Sequence, residues 1–598
     1  MKNLYLLTLA ATLVLAGCKK DDTPDSPPPT PEPEPELELT VEQTEYTLGA
    51  VEERTATAVF TAKNDWTLSV VYDNAGTEAA TEAATDDETA TEAAWLTVTP
   101  ASGAAGEQTV ELAAAPKITE ESRTAYVDIA CGEESVRLTV TQTGASDETN
   151  FSALFAPEFA QKLQGLEIIA DAGNITLDDM EKIAAITELN VSGSSLTSLQ
   201  GIEYFESLTT LLCASNSLET LDVSNNTALT YLGCAYNKLT SLDVSGCTAL
   251  TKLMCYNNQL TTLDVSGCTA LTYLDCETNK LETLDVSGCT ALTKLRCLSN
   301  SLKSLDVSGC TALTELQCSS NQLTSLDVSG CTALESLLCS SNQLTELDVS
   351  NNTVLYELQC TRNSLTRLDV SGCAALTWLE CLSNQLTSLD VSKNTKLKCL
   401  KCSFNQLTEL DVSQNTALMW LYCYDNSLTS LDVSNNTVLY ELECYSNQLT
   451  SLDVSNHQSL WLVDCRSNQL TVLDVSNNTE LTELQCYSNS LASLDVSGCT
   501  ALTVLYCYDN QLTTLNVSNN KELESLRCSS NQLKSLDVSQ NTALTTLYCG
   551  GNPGDGESVF PVTVWADFNL NRIPDKFTKD SWVLDNGTTI SPVYQKAQ

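Results

Sequence analysis

The sequence has a single histidine, His457, and only 30 lysines and arginines against 77 aspartates and glutamates, for a formal net charge of -47 over 598 residues. Each shortage excludes something. One histidine leaves almost nothing for zinc ligation or for a histidine-based nucleophile. So acidic a chain repels a phosphate backbone, so nucleic acid is not an expected partner. Beyond the first residues no apolar run approaches the eighteen needed to cross a bilayer. No nucleophile-base spacing, phosphate-binding loop or metal motif occurs. The chain therefore reads as a non-enzyme with no cofactor and no metal site. Its charges are spread among regularly spaced leucines, which argues against disorder. Its length exceeds one compact core, so several domains or an extended solenoid are expected.

Cysteine, by contrast, is abundant and periodic. It recurs every 21 residues from Cys213 to Cys549, seventeen times without a gap. An asparagine follows three residues after each, from Asn216 to Asn552. Between successive cysteines lies a D-V-S unit, first at Asp222, whose aspartate row breaks only at Asn516. A fixed period of this length means a solenoid. The pattern L-x-x-L-x-C-x-x-N-x-L resembles the leucine-rich repeat with cysteine at the third apolar position. Each turn is expected to supply a short parallel strand at L-x-C and a second extended segment at L-D-V-S, starting near Ile186. The asparagine should bond the backbone of its own and the neighbouring turn, because buried backbone groups need partners.

A second row holds Cys247, Cys268, Cys289, Cys310, Cys331, Cys373 and Cys499, and its slot holds asparagine in eight other repeats, such as Asn226 and Asn352. His457 also occupies it, as a structural substitute. Turns ~4.8 Å apart with parallel side chains suit a disulfide poorly. Both rows are read as reduced, small, buried residues. A partly oxidised exterior staple is the rival reading, and one thiolate per turn makes no tetrahedral zinc site. Cys399 falls at an outward position and is expected to be a free, reactive thiol. The fifteen aspartates of the D-V-S row are read as a solvated, serine-bonded ladder, with a calcium-decorated edge as the alternative.

The N-terminus is a processing signal. Lys2, the apolar run Leu4 to Val14 and "LAGC" at Leu15 to Cys18 resemble a bacterial lipoprotein signal, which implies that Cys18 is the lipid anchor. "KKDD" at Lys19 to Asp22 resembles the surface-export signal of Bacteroidetes lipoproteins. The localisation this implies is the outer membrane of a Gram-negative bacterium, lipid-anchored and surface-exposed. The proline-rich acidic stretch that follows is an extended stalk. From residue 37 the pattern becomes short alternating runs with an acidic insert at Thr77 to Ala94. "WLTVTPASGAAG" (Trp95 to Gly106), "RTAYVDIA" and "VTQTG" resemble the BACON domain family, which implies a seven-stranded sandwich. Trp66 and Trp95 are read as core residues and the module as a spacer, with glycan binding as the other implication of the resemblance.

The expected fold class is mostly β: an N-terminal immunoglobulin-like β-sandwich followed by a leucine-rich-repeat solenoid with a short helical N-terminal cap. The expected divisions are a signal peptide at 1–18, a linker at 19–36, the BACON-like sandwich at 37–145, the helical cap at 150–185, the solenoid at 186–552 and a C-terminal cap at 553–598. Thr176 or Asp178 should cap a helix in the helical segment, which resembles the cap of cysteine-bearing repeats and, more loosely, the internalin arrangement. "DAGNITLDD" (Asp171 to Asp179) lacks the carboxylates of a calcium loop, and "DFNLNRIPD" (Asp567 to Asp575) mimics one weakly. Trp565 and Trp582 are expected to pack on the last turn.

A leucine-rich repeat presents its concave strands as a binding surface. The outward positions beside the last leucine and the cysteine hold Tyr256, Tyr273, Trp378, Trp420, Tyr422, Tyr424, Tyr445, Tyr487, Tyr506 and Tyr508, with Glu441 and Glu443 among them. Aromatics mixed with charge on a rigid sheet suit recognition, although tyrosine and tryptophan also favour strands for themselves. The preferred reading is a surface lipoprotein that binds protein ligands in adhesion or host or microbe contact. A glycan-binding accessory of a polysaccharide uptake system and a passive spacer stay open.

Overall fold

The computed structural model of the chain describes residues 38–73, 94–554, 560–564 and 582–583, the last pair by backbone alone. Cys18, the linker, the acidic insert apart from Ala94, Trp565 and the segment 567–575 lie outside the described residues. Among the described residues no helix is long and apolar enough to cross a membrane. The chain divides into two units, one ending at Ser146 and the other beginning at Asp147.

The described residues of the first unit form a sandwich of nine strands: β1 Leu39–Val41, β2 Glu45–Leu48, β3 Thr55–Ala62, β4 Trp66–Tyr72, β5 Leu96–Thr99, β6 Ser102–Gly103, β7 Gly106–Ala114, β8 Arg123–Cys131 and β9 Glu134–Gln142. They form two sheets, ordered β1-β3-β7-β5 and β2-β9-β8-β4-β6. The resemblance implied seven strands. The two shortest, β1 and β6, lie at sheet edges, where backbone pairing continues only briefly. Alternation decides which side chains go inside. In β8, Ala125, Val127, Ile129 and Cys131 are buried while the residues between them face out or halfway out. Trp66 and Trp95 are both core residues, as expected. Trp66 meets Phe60 edge-on at 4.8 Å, a contact worth about 1 kcal/mol beyond its area. Gly103 faces that indole, and a Cβ there would lie 2.7 Å from Trp66 Nε1.

The second unit opens with two helices, α1 Pro157–Gly165 and α2 Leu177–Ala184. Thr176 is the cap of α2: its Oγ1 accepts the Asp179 amide at 3.3 Å, and the Asp179 carboxylate accepts the Thr176 amide in return. Phe159, Leu163, Met180 and Ile183 turn their apolar faces inward. Among the described residues a parallel sheet of 19 strands follows, from Glu188–Asn190 through Thr546–Tyr548 to a backbone strand at Trp582–Val583. Each repeat supplies three residues centred two places before its ladder cysteine, on a leucine everywhere except Val463. Neighbouring leucines pair in register, Leu232 with Leu253 and Leu253 with Leu274. The L-D-V-S segments pair only intermittently, at bridges such as Asp243 to Asp264.

Equal repeat length makes identical side chains stack into columns. Along one turn, Cys255, Leu260, Val265, Cys268, Leu271 and Leu274 are all fully buried. A single turn could not bury these residues without neighbours above and below. Two residues after each ladder cysteine the backbone adopts the left-handed conformation, from Ser215 (φ 56°) to Ser530 (φ 51°). Serine, asparagine and aspartate dominate there, since short polar side chains tolerate that region. The asparagine that follows then points inward. Asn384 Nδ2 donates to the Cys360 and Cys381 carbonyls, each at 3.1 Å, while its Oδ1 accepts the Leu365 amide at 3.0 Å. One side chain thus ties a turn to its predecessor, as the spacing implied.

The second row is a donor slot. Cys373 Sγ donates to the Val349 carbonyl at 3.4 Å. Asn394 Nδ2 donates to the Val370 and Cys373 carbonyls at 2.9 Å, and His457 Nε2 to the Val433 carbonyl at 2.9 Å. The three residue types exchange because each presents a donor to the same corner of the backbone. Asparagine does so at a cost, since its Oδ1 is buried without a partner at all eight positions. Cysteine carries no such acceptor. All 26 described cysteines are buried thiols.

Beyond the last ladder cysteine, Cys549, Val562–Thr563 pairs with Leu536–Asp537, and Trp582–Val583 pairs with the Thr546–Tyr548 strand. The tail therefore meets the final turn through its backbone.

Candidate functional site

Each turn has two outward surfaces. On the D-V-S side every turn but that of Asn516 repeats the same chemistry. Asp243 Oδ1 accepts the Ser245 amide at 2.9 Å and its hydroxyl at 2.7 Å. These bonds hold the Asp243 carboxyl below its usual range, and the same holds at Asp264, Asp285 and Asp306. An open trough of 770 Å³ runs along these four residues, lined by Asp, Ser, Thr and Leu alone. Among the described residues no group of three or more histidines, cysteines, aspartates or glutamates could hold a metal ion.

The strand side varies from turn to turn. Tyr256, Tyr273, Trp378, Trp420, Tyr422, Tyr424, Glu441, Glu443, Tyr445, Tyr487, Tyr506 and Tyr508 are all half-buried there. Ten of the twelve lie on seven successive turns, those of Cys381 to Cys507. Tyr256 and Tyr273 stand apart, separated by turns whose strands begin with Lys294, Glu315, Ser336 and Glu357.

Register turns the larger group into a continuous column. Tyr424 and Tyr445, each one residue after its ladder cysteine, stack at 4.2 Å with their planes 7° apart. Arg466 occupies the same position one turn on, 3.7 Å from the Tyr445 ring and 5.6 Å from Tyr487. Tyr487 then stacks on Tyr508 at 4.1 Å. At the other end Phe404 meets Tyr424 edge-on at 5.3 Å. The column thus crosses six turns, with rings stacked along the solenoid.

Phe404 holds the left-handed position with φ 53° and is 50% exposed. A bulky aromatic is an outlier in that conformation. Tyr236 repeats the device at φ 54°, edge-on to Tyr256 at 5.3 Å. Phe404, Tyr236, Tyr356, Tyr440 and Trp461 all belong to the exposed aromatic surface and were missed from sequence. They lie one residue before the strand or two after the cysteine, outside the positions scanned. Scoring every position of the 21-residue frame for aromatics would have found them.

Cys399 overturns an expectation. Its slot points outward, yet it is fully buried and burial pushes its thiol up to about 12. It pairs in register with Trp378 on one side and Trp420 on the other. Those two rings come within 6.1 Å of each other and close over it. It is therefore not a reactive thiol. The ladder thiols are inert for the same reason, desolvation, which pushes Cys402 up to about 12.

The carboxylates among the rings are desolvated. Burial pushes Asp464 up to about 7 even though Arg466 lies on it. Glu443 is also held above its usual range, first by burial and then by Glu441. Glu441 accepts the Tyr422 hydroxyl. Lys401 pairs with Glu380 at 2.8 Å, and the same carboxylate takes the Trp378 indole N–H at 2.8 Å.

Residues 38–145 match the family described as the viral BACON domain, residues 248–289 leucine-rich repeats in two copies, and residues 463–489 the LVIVD repeat. No curated protein matches the chain. Among solved structures, the functional domain of InlJ from Listeria monocytogenes, which includes a cysteine ladder, is 35% identical. The match covers 70% of this chain and 83% of that one, with a TM-score of 0.51. YopM, a leucine-rich effector protein from Yersinia pestis, is 22% identical over 65% of this chain and 91% of that one, with a TM-score of 0.35.

Proposed function

The chain belongs to the leucine-rich-repeat family that includes the cysteine-ladder domain of InlJ, and from that premise we propose that its strand face binds a protein partner. The observation that carries this is the column from Phe404 to Tyr508. Rings that stack face to face offer a ligand their edges and hydroxyls. A sugar platform needs an open ring face, and here those faces are taken by neighbouring rings and by Arg466. Protein interfaces favour this composition, with tyrosine, tryptophan and arginine on a rigid support. Half-buried, mutually packed side chains also lose little entropy when a partner arrives.

The context we propose for this binding is the cell surface, with Cys18 lipidated in the outer membrane, the sandwich as a spacer and no catalytic role. Adhesion or contact with a host or another microbe fits that arrangement.

The test is to probe arrays of cell-surface proteins and of glycans with the purified chain and with Tyr445→Ala and Tyr487→Ala variants. Saturable protein binding that falls at least about tenfold in the variants is expected. Glycan binding alone, or protein binding indifferent to both substitutions, would overturn the reading. Cys18→Ala should move the protein from the membrane fraction to the soluble fraction.

A further inference from the structure

Four cations on the strand face share one setting. Lys252 lies 4.5 Å and 5.4 Å from the rings of Tyr231 and Tyr273. Lys401 lies 5.3 Å and 5.5 Å from Trp378 and Tyr422. Arg527 lies 4.6 Å and 4.8 Å from Tyr506 and Tyr548, and Arg466 sits between Tyr445 and Tyr487 as described. Each cation is held between rings supplied by the turns before and after its own. Two of the four also rest on a carboxylate, Lys401 on Glu380 and Arg466 on Asp464. Aromatic faces attract cations through their quadrupole, and desolvation strengthens the attraction.

The turn before Arg466 has acids and rings of the same kind. Glu441 and Glu443 lie on one strand, with Tyr422 on the preceding turn and Tyr445 on their own. Among the described residues, no lysine or arginine forms an ion pair with either glutamate. Both are half-buried. The charged groups acting on Glu443 are Glu441 and Glu483, which oppose its ionisation, and Arg466 and Lys401, which favour it. Those two cations are already engaged with Asp464 and Glu380. The local surface therefore carries excess negative charge, on a chain whose net charge is -47.

We infer that the protein partner places a lysine or arginine side chain on Glu441 and Glu443, beside Tyr422. The inference rests on the protein-binding reading and adds the chemistry of what enters. An acidic partner segment would meet carboxylates here and find the nearby cations already clamped between rings. A basic segment meets an acid pair that no lysine or arginine of the described residues pairs with, so the charge complementarity selects it.

The probe is a labelled nonapeptide of glycine and serine carrying three arginines, beside the same peptide with citrulline in their place. Citrulline keeps the shape and removes the charge. Fluorescence anisotropy with the full chain should show the arginine peptide binding at least about tenfold more tightly than its analogue. The E441Q/E443Q double variant should lose about tenfold, whereas D285N/D306N, which removes two carboxylates from the D-V-S side, should change affinity less than about twofold. Circular dichroism of both variants checks that the fold persists. Equal losses in the two double variants would mean diffuse charge attraction and would overturn the inference, as would equal binding of the two peptides or no binding of either up to about 1 mM. Capture of a surface protein that Tyr445→Ala abolishes and E441Q/E443Q leaves intact would retire the cation subsite while sparing the protein-binding reading.

Discussion

The two outward surfaces of each turn are made from the same 21-residue unit under opposite rules. On the D-V-S side a short local motif repeats, and each aspartate is satisfied within its own turn by the serine two residues on. Such a surface needs no help from neighbouring turns and looks alike everywhere. On the strand side residues contact their counterparts 21 positions away, so a tyrosine on one turn changes what the next turn can hold. Asp243, Asp264, Asp285 and Asp306 on the first surface stay exposed and are held low, whereas Asp464 and Glu443 on the second are desolvated and held high. Local satisfaction yields monotony, and coupling between turns yields an individual surface.

Substituting the element on which both surfaces depend should have the largest effect. Asn384→Ala removes the acceptor of the Leu365 amide and strands two carbonyls, and should cost about 3 kcal/mol. Exposed Thr387→Ala should change stability by no more than about 0.5 kcal/mol. Guanidinium unfolding midpoints would compare the two. A small loss in Asn384→Ala would mean that water replaces the amide and that the ladder is not what couples the turns.

Next in size is the column itself. Tyr445→Ala should weaken partner binding by about 2 kcal/mol, a hot-spot effect. It should cost about 1 kcal/mol or less in stability, since the ring is half-buried and supports no backbone. Equal losses in both would make the column a structural feature and erase the contrast with the D-V-S side.

The pH dependence should have opposite signs on the two sides. Asp464 holds its proton more tightly folded than unfolded. Its contribution is therefore complete below the unfolded value of about 3.9 and is lost as pH rises to about 7. Asp285 is held low, so its contribution is present above the unfolded value and is lost as pH falls through the lower folded one. Thermal unfolding between pH 3 and pH 8 should thus show wild type losing stability relative to Asp464→Asn as pH rises, and relative to Asp285→Asn as pH falls. Parallel curves would remove the electrostatic distinction.

Exchange within the corner slot should have a smaller effect. Cys373→Asn should stay within about 1 kcal/mol of wild type, because the new amide finds the same carbonyl while leaving one oxygen unpaired. Thiol labelling of the folded chain should show no effect at all: iodoacetamide followed by mass spectrometry should modify none of the 26 described cysteines. Trp420→Ala should then expose Cys399 selectively. Labelling of Cys399 in wild type would show that the two tryptophans do not cover it.

Much of this was legible in the sequence, for a reason that also sets its limit. The inward columns, the asparagine ladder and the exchange of cysteine with asparagine could be read because each repeat answers the same requirement, and seventeen copies agree. The twelve half-buried positions on the strand face followed from strand alternation. The burial of Cys399 did not follow, because it depends on two side chains 21 residues away on either side meeting above it. Phe404 and Tyr236 were missed because alternation says nothing about a left-handed residue after the strand. In the sandwich, the usual burial of large aromatics identified Trp66 and Trp95 as core, but alternation could not divide short edge pieces into the nine described strands rather than seven.

The amino-acid sequence alone determined that turns of equal length lie in register, since any slip would carry leucine, cysteine and asparagine out of the columns in which they are satisfied. It determined equally that the D-V-S side is uniform, because the aspartate and its serine are two residues apart. Only the tertiary structure decided which rings stack, which cations they hold and which carboxylates they desolvate. Those contacts run across the chain rather than along it, and their energies depend on distances that exist only once the turns are stacked.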